Sequence, residues 1–313
     1  MFFLFKNHLL SKIFLFMFLF IFLIIIKNNK FKGAAMCVIA KKENLYINEF
    51  VNYYRQLGIK KIYLYDNNDL FGENFSNVLK KEIKHNFVEI INVRGKSRYQ
   101  RQSYEDCYQK HLDQYSWFLF VDIDEFLFIK NNVSLSNFLT DKKFKKCDSI
   151  VINYREFGDS DLLHYDDRPV TKRFNSSRYC LSMKSFLKGG IKNARMDVHR
   201  PLNIKYYCNS KGEIIVPASY FTYNLSIENA EIRHYITKTI DEFIMRIKKG
   251  WPLSKVGEAD YYKKINDRTK YFFSINKITE YKLNKIFPFI EDNNLKKFLL
   301  MKLNNTKNGT FKI

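Results

Sequence analysis

Apolar runs alternate with amphipathic stretches from residue 36 onward. Each run is short, rich in β-branched or aromatic residues and bounded by polar ones, as buried strands are, whereas the stretches between runs repeat apolar residues at helical spacing. The predicted strands cover residues 36–40, 61–65, 87–93 and 117–121. The predicted helices cover residues 45–57, 75–85 and 100–115. Strands that alternate with helices predict an α/β fold, with a mostly parallel central sheet flanked by helices.

The pattern loosens after residue 149. A further strand is predicted at 149–155, a loop-rich stretch follows, and a helix at 239–249 ends before Gly250. The remaining residues are rich in Lys and carry apolar residues at helical spacing. We therefore expect a terminal segment at 1–30, a main domain at 34–252 and a helical extension at 253–313.

The terminal segment contains an unbroken apolar run at 13–26. Counting from Leu9, with Lys12 reaching outward, gives about 18 residues, at the lower end of what a membrane-spanning helix needs. Lysines follow where a signal peptide would have a small-residue cleavage site, so an uncleaved single-pass anchor is favoured over a cleaved signal peptide. The protein would then face the Golgi or ER lumen in a eukaryote, or be associated with the inner membrane in a bacterium.

Three carboxylates, Asp122, Asp124 and Glu125, follow the predicted strand at 117–121. In an open α/β sheet the ligand lies beyond the carboxyl ends of the strands, which is where this run falls. In extended geometry Asp122 and Asp124 share one face, about 7 Å apart along the chain. Carboxylates on one face bind Mg²⁺ or Mn²⁺ while a diphosphate completes the coordination shell. The alternative is an exposed acidic turn after a core strand.

A second polar cluster, from Asp66 to Asp69, follows the strand at 61–65 and so reaches the same edge of the sheet. Asp66 and its neighbour Asn67 are candidates to bind the base or the ribose of a nucleotide. An ordinary Asx turn explains the same residues equally well.

Two of the six histidines have informative surroundings. Either His199 or His234 is a candidate for a third metal ligand or for contact with a phosphate, although a structural histidine is the commoner role. Lys238 and the basic residues after it would neutralise a departing diphosphate, unless they form an ordinary basic helix face.

Composition narrows the class of protein. Lys and Arg number 53 against 32 Asp and Glu, which gives a formal charge of +21 and favours polyanionic ligands. Nucleic acid is not an expected partner, because the basic residues are spread over every segment. An apolar content of 46% excludes a disordered chain. The five cysteines form no zinc motif, and a single disulfide such as Cys180 with Cys208 stays open.

A series of short blocks lies at residues 43–50, 57–59, 65–68, 101–107, 117–126, 157–158, 172–174, 183–185, 198–201 and 234–250. Their order and spacing resemble glycosyltransferase family 92 and related bacterial family-2 enzymes, over residues 36–251. The resemblance implies a GT-A fold for the main domain, a nucleotide-sugar donor and inversion at the anomeric carbon. It also implies a divalent metal held by Asp122 and Asp124, with His234 as the third ligand.

The resemblance also assigns donor-binding roles. Asp66 would lie at the nucleotide, and Glu43 would lie beside it after the first strand. Taken by itself, Asp106 would be a solvated charge on a helix. It is a donor-binding candidate because it lies in the matching block at residues 101–107. Known relatives include β-1,4-galactosyltransferases, so a hexosyltransferase of galactosyltransferase type is implied.

The expected function is transfer of a sugar from a UDP-sugar to a hydroxyl of a glycan or glycoconjugate. Inversion needs a base that removes the proton from that hydroxyl, and Asp159, Asp161 and Asp241 are candidates. At residues 159–161 the chain departs from the family pattern. A catalytically inactive glycan-binding or scaffold protein of the same fold is the first alternative. A sugar-phosphate nucleotidyltransferase is the second, disfavoured because no Gly-rich loop follows the first strand.

Overall fold

The computed structural model describes residues 31–249 and 258–307. Its first strands are β1 (Ala34–Ala40), β2 (Lys61–Asp66), β3 (Val88–Asn92) and β4 (Trp117–Phe120). Neighbouring strands run parallel in the order β3-β2-β1-β4. Every residue of β2 is buried, because an interior strand of such a sheet is covered on both faces. The predicted α/β class, with a mostly parallel sheet flanked by helices, is confirmed.

The helices between these strands are α1 (Asn44–Leu57), α2 (Phe75–Val78), α3 (Lys80–Lys84) and α4 (Gln100–His111). Helix α1 ends at Gly58, whose φ of 103° is a left-handed conformation that glycine adopts without steric cost. The single helix predicted at 75–85 is instead divided at Leu79, which has a non-helical backbone and a fully buried side chain. Helix α4 ends before the predicted residue 115.

The second half of the chain extends the sheet. Its elements are β5 (Glu125–Ile129), α5 (Leu135–Thr140), β6 (Ser149–Phe157), α6 (Val170–Arg173), β7 (Ser177–Lys188), β8 (Arg195–Met196), β9 (Pro201–Leu202), β10 (Tyr207–Cys208), β11 (Ile214–Ile215) and β12 (Ala230–His234). Strand β7 lies antiparallel between β4 and β6. Strand β12 runs parallel to β6 and antiparallel to β5, in a register that places His234 opposite Glu125. The end of β12 therefore meets the turn after β4.

In the described part of the chain, four α-helices follow the sheet: α7 (Ile240–Lys249), α8 (Glu258–Ile275), α9 (Glu280–Ile286) and α10 (Asn293–Lys307). The helix predicted at 239–249 is confirmed as α7, and Gly250, which was expected to end it, lies outside the described residues. The apolar face of α7, with Phe243 and Ile247, packs in one cluster with residues of α8, α9 and α10. This cluster brings the C-terminal helices beside the residues that follow β12.

The structure contains two disulfides, Cys37–Cys107 and Cys147–Cys208, and Cys180 is free. The pairing of Cys180 with Cys208, left open by the sequence, is wrong because β10 pairs with the start of β6 and places Cys208 beside Cys147. The Cys37–Cys107 bond ties α4 to β1.

Within the described residues, no helix is long and apolar enough to cross a membrane. The anchor expected at residues 1–30 lies outside those residues.

Candidate active site

A cavity of about 1190 Å³ opens at the carboxyl ends of β1, β4 and β12. Its wall includes Glu43 after β1, the acidic run after β4, and His234 with Lys238 at the end of β12. This is the edge where ligands bind in open α/β sheets, because the loops after the strands converge there.

A tight turn carries the three carboxylates of the acidic run. Strand β4 ends at Phe120, and the N–H of Glu125 donates to the carbonyl of Asp122 over 3.1 Å. The extended geometry expected for Asp122 and Asp124 is therefore wrong, since the chain reverses between β4 and β5. The two side chains have different partners as a result.

Asp124, Glu125 and His234 form one cluster of ligand atoms, all within 4.8 Å of one another. The His234 Nε2 atom lies 3.6 Å from Asp124 Oδ1 and 3.9 Å from Glu125 Oε1. These distances exceed a hydrogen bond, and they are the separations expected of atoms that share one cation about 2.2 Å from each. Two carboxylates and an imidazole also suit Mn²⁺ by chemical type. The cluster therefore fits a divalent metal.

Glu125 is the member of this cluster that was not predicted to be a metal ligand. Its side chain is 1% exposed, accepts a hydrogen bond of 2.7 Å from the Tyr154 hydroxyl and lies 3.5 Å from Lys184. Burial raises the pKa of Glu125, and the Lys184 ammonium opposes that rise. Its position as the third carboxylate of the run was visible, but its place opposite His234 depends on the pairing of β5 with β12.

Asp124 is held by charge from two sides. Its Oδ2 lies 2.9 Å from the Arg246 guanidinium of α7, while Oδ1 faces His234. Burial alone would raise the pKa of Asp124, but Arg246 and His234 outweigh burial and hold it well below its usual range. The carboxylate therefore stays ionised, as a metal ligand must.

Asp122 is directed elsewhere. Its Oδ2 lies 3.1 Å from Lys184 Nζ, and its Oδ1 accepts a hydrogen bond of 2.9 Å from the Gln100 amide of α4. The Lys184 side chain is fully buried, so this cation is a fixed part of the site. Asp122 lines the cavity but lies outside the cluster of Asp124, Glu125 and His234.

The predicted donor-binding residues divide into two groups. Glu43, Asn67 and Lys238 line the cavity. Asp66 and Asp106 do not line the cavity. Asp66 accepts hydrogen bonds from the Asn68 N–H and from Arg94, whereas Asp106 accepts them from the Tyr65 hydroxyl and from Lys110. Both are committed to partners within the protein.

Positive charge surrounds the cluster. Lys238 is buried with its ammonium 4.5 Å from the centre of the Tyr46 ring, and burial lowers its pKa. Arg268 of α8 also lines the cavity, and burial and Arg246 lower its pKa to about 9. The other basic residues of the wall are Lys41, Lys42, Arg98, Arg101, Arg246 and Lys248. This wall suits a polyanionic ligand.

The three candidate bases lie away from the cavity wall. Asp159 is buried 2.5 Å from Lys282, and Asp161 lies 2.7 Å from Lys277. Asp241 pairs with His164 at 2.8 Å. The structure does not bring any of the three to the cluster of Asp124, Glu125 and His234.

His199, in contrast, lines the cavity. Its Nδ1 lies 3.1 Å from the carbonyl of Met183 on β7. Burial, followed by the nearby Lys184, lowers the pKa of His199 and so favours the neutral ring.

The fold and the site together define an α/β protein with a basic cavity beside a carboxylate–histidine cluster. The sequence profile of glycosyltransferase family 92 matches residues 32–278. The chain therefore belongs to glycosyltransferase family 92, as the order of its sequence blocks predicted, and the match extends past the end of α8.

Two curated relatives carry the same family name. A glycosyltransferase family 92 protein of Ricinus communis is 21% identical over 148 residues, which cover 47% of this chain and 26% of that protein. One of Oryza sativa subsp. japonica is 23% identical over 128 residues, covering 37% of this chain and 20% of that protein. The chain thus matches about a quarter or less of the length of these relatives.

Among solved structures, the chain is similar to S. aureus TarS. TarS 1–349 in complex with UDP-GlcNAc is 11% identical, with a TM-score of 0.37, over 90% of this chain and 93% of that chain. A longer TarS structure is 10% identical, with a TM-score of 0.39, over 86% of this chain and 52% of that chain.

Proposed function

We propose that the protein is a metal-dependent, inverting glycosyltransferase that moves a hexosyl group from a UDP-sugar to a hydroxyl of a glycan or glycoconjugate. The observation that carries this proposal is the cluster of Asp124, Glu125 and His234 inside a cavity with a basic wall. Family membership supports the reaction class.

Asp124, Glu125 and His234 would hold the divalent metal. When bound, the ion supplies positive charge that stabilises the diphosphate leaving group. The buried Lys184 holds Asp122 and Glu125 in place from behind, with Nζ–O distances of 3.1 and 3.5 Å. The chain thus pre-organises the carboxylates before the donor binds, which spares reorganisation during the reaction.

Lys238 and Arg246 would bind the diphosphate oxygens, because both cations line the cavity next to Asp124. Glu43, which precedes α1, and Asn67, which follows β2, line the same cavity and would contact the nucleoside. The Asn67 amide donates to the carbonyls of Val93 and Lys96, over 3.0 and 2.8 Å. This ties the loop after β2 to the chain after β3 and gives the nucleoside a rigid wall.

A donor-hydrolysis screen tests the proposal. The full chain with Mn²⁺ should release UDP from at least one sugar in a panel of UDP-galactose, UDP-glucose and UDP-N-acetylglucosamine. An excess of chelator should stop the release. Binding of a glycan without release of UDP from any donor would support the inactive scaffold instead.

The metal site has its own test. His234→Ala should raise the Mn²⁺ concentration for half-maximal activity at least tenfold, which equals about 1.4 kcal/mol. His85→Ala is the matched control. His85 directly follows α3, is exposed and does not line the cavity. An unchanged Mn²⁺ dependence together with a lower melting temperature would make His234 structural.

We also propose that residues 1–30 anchor the protein in a membrane, with the remainder on the luminal side in a eukaryote. The apolar run at 13–26 supports this proposal. The full chain should stay in the membrane pellet after carbonate extraction, and a chain that begins at Lys32 should not. Release of the full chain into the supernatant would contradict the anchor.

A further inference from the structure

The imidazole of His199 is placed to accept a proton inside the cavity. The Nδ1 atom of the ring lies 3.1 Å from the Met183 carbonyl. The main-chain carbonyl of His199 accepts a hydrogen bond of 2.8 Å from the Ser185 hydroxyl. A carbonyl only accepts, so Nδ1 carries the proton and Nε2 carries the lone pair. Within residues 31–249 and 258–307, Nε2 has no hydrogen-bond partner. The ring is therefore anchored through one nitrogen and available through the other.

An exposed aromatic surface begins beside this ring. The centre of the Tyr220 ring lies 6.2 Å from the centre of the imidazole. The Phe221 ring lies 5.2 Å from Tyr220, and the Tyr223 ring lies 5.6 Å from Phe221, again between ring centres. Tyr220 is 55% exposed and Tyr223 is 69% exposed. The N–H of Thr222 donates to the Leu181 carbonyl over 2.9 Å, which fastens this segment to β7. We call Tyr220, Phe221 and Tyr223 the aromatic surface.

Exposed aromatic rings beside a residue of a cavity wall, as Tyr220 lies beside His199, are a feature of ligand-binding surfaces. The occupant must present a flat apolar face to the rings and a polar group to the cavity. A pyranose does both, because its axial C–H bonds pack on an aromatic ring while its hydroxyls lie at the edge. Since the surface meets the cavity at His199, the sugar on it would direct one hydroxyl toward Nε2.

We propose that His199 is the catalytic base of the transfer and that the aromatic surface binds the acceptor saccharide. The proposal rests on the proposed function above. The acceptor oxygen forms a bond to the anomeric carbon of the donor, and its proton moves to Nε2 of His199. The bond from that carbon to the diphosphate oxygen breaks, its electron pair leaves with the diphosphate, and the imidazolium then returns its proton to water.

Three charged groups face His199. They are Lys184 on β7, Asp122 in the acidic turn, and Asp197 on the segment of His199 itself. Burial and Lys184 outweigh the two carboxylates and lower the pKa of His199. In the pH profile of the transfer rate, the fall on the acid side is therefore expected below the ordinary histidine pKa of about 6.5.

The first test replaces the base. His199→Asn, which keeps a side-chain donor near Met183, should lower transfer to p-nitrophenyl glycosides about 10²- to 10⁴-fold and remove the acid limb of the pH profile. Azide needs no deprotonation, so the formation of glycosyl azide from the same donor should persist in this variant. A merely structural role would lower both reactions together. Equal loss of both, or transfer within threefold of wild type, would overturn the role of His199.

The second test addresses the acceptor. Tyr220→Ala should raise the KM for the p-nitrophenyl glycoside about tenfold while kcat and donor hydrolysis change little, and Tyr220→Phe should restore the KM. Phe298→Ala, at an exposed aromatic of α10, is the control. An unchanged KM in Tyr220→Ala would overturn the acceptor site. If wild type released UDP from no donor, the proposed function itself would fail, which separates the two outcomes.

Discussion

Two Asp-x-Asp runs follow two strands of the same sheet, residues 122–124 after β4 and residues 159–161 after β6. Their spacing is identical, and both place carboxylates at the carboxyl end of a strand. They differ in whether the carboxylates pair only with cations of the chain or also face the cavity. That difference distinguishes a candidate metal site from a structural contact.

In the second run the cations belong to the chain. Lys282 of α9 lies 2.5 Å from Asp159, and both side chains are at most 3% exposed. Lys277 lies 2.7 Å from Asp161, and the Asp159 N–H donates to the Asn276 side chain over 2.7 Å. All three partners lie at the end of α8 or at the start of α9. The run therefore fastens the C-terminal helices to the sheet.

In the first run the chain also supplies cations, Lys184 beside Asp122 and Arg246 beside Asp124, but part of the cluster faces the cavity. Arg246 pairs with one oxygen of Asp124, but the other oxygen and Glu125 face His234 at 3.6 and 3.9 Å. Two carboxylates and an imidazole this close together favour a cation between them. The second run is fully paired within the chain, whereas the first run would also hold the proposed metal ion.

The largest expected effect separates the two runs directly. Asp124→Asn should lower transfer at least about 10³-fold, because the amide oxygen carries no charge for the metal, and the melting temperature should stay within a few degrees. Transfer rates with the best donor and melting curves are the measurements. Full activity in this variant would show that Asp124 does not bind the metal.

The matched change in the second run is Asp161→Asn. It should leave transfer within about twofold of wild type, since Asp161 lies outside the cavity wall and pairs with Lys277. A loss as large as that of Asp124→Asn would return the base assignment to Asp161 and contradict the role of His199.

The next effect is on stability. Lys282→Met removes one member of a buried ion pair and leaves Asp159 without its cation, which typically costs about 3–5 kcal/mol of unfolding free energy. Urea denaturation measures the loss, and the double variant Lys282→Met/Asp159→Asn should recover most of it. The Mn²⁺ dependence should be unchanged. A shifted Mn²⁺ dependence in a stable variant would mean that this run also takes part in the site.

The fold was predictable wherever the pattern is local. Strands β1 and β2 are short apolar runs, and α1 repeats its apolar residues with the helical period up to Gly58. The break at Leu79 was not predictable, because a short helix and a long one share the same spacing of apolar residues. The antiparallel place of β7 between β4 and β6 is a long-range pairing that no local spacing encodes.

The candidate site shows the same division. Asp124 and His234 were identified from their context and lie together, although their roles stay predictions. Glu125 joins them only through the register of β5 against β12, about a hundred residues along the chain. Asp159 looked like a base because nothing near it in the sequence announces Lys282, more than a hundred residues away. Sequence reasoning located the carboxylates but not their long-range partners.

The smallest expected effect concerns the exposed half of the second run. Lys277 lowers the pKa of Asp161 from its ordinary value of 3.8, and both side chains are largely exposed, so the pair contributes little in water. Because the folded pKa is lowered, the unfolded chain binds the proton more readily. The contribution is therefore present above pH 3.8 and is lost as the pH falls through the lower folded value. Asp161→Asn should lower the melting temperature by no more than about 2 °C at pH 7, and this difference should shrink as the pH falls below 3.8. Melting curves of variant and wild type at pH 7 and at a series of pH values below 3.8 measure it. A difference that does not shrink with falling pH would mean that Asp161 stabilises the fold through packing or hydrogen bonds rather than through its charge.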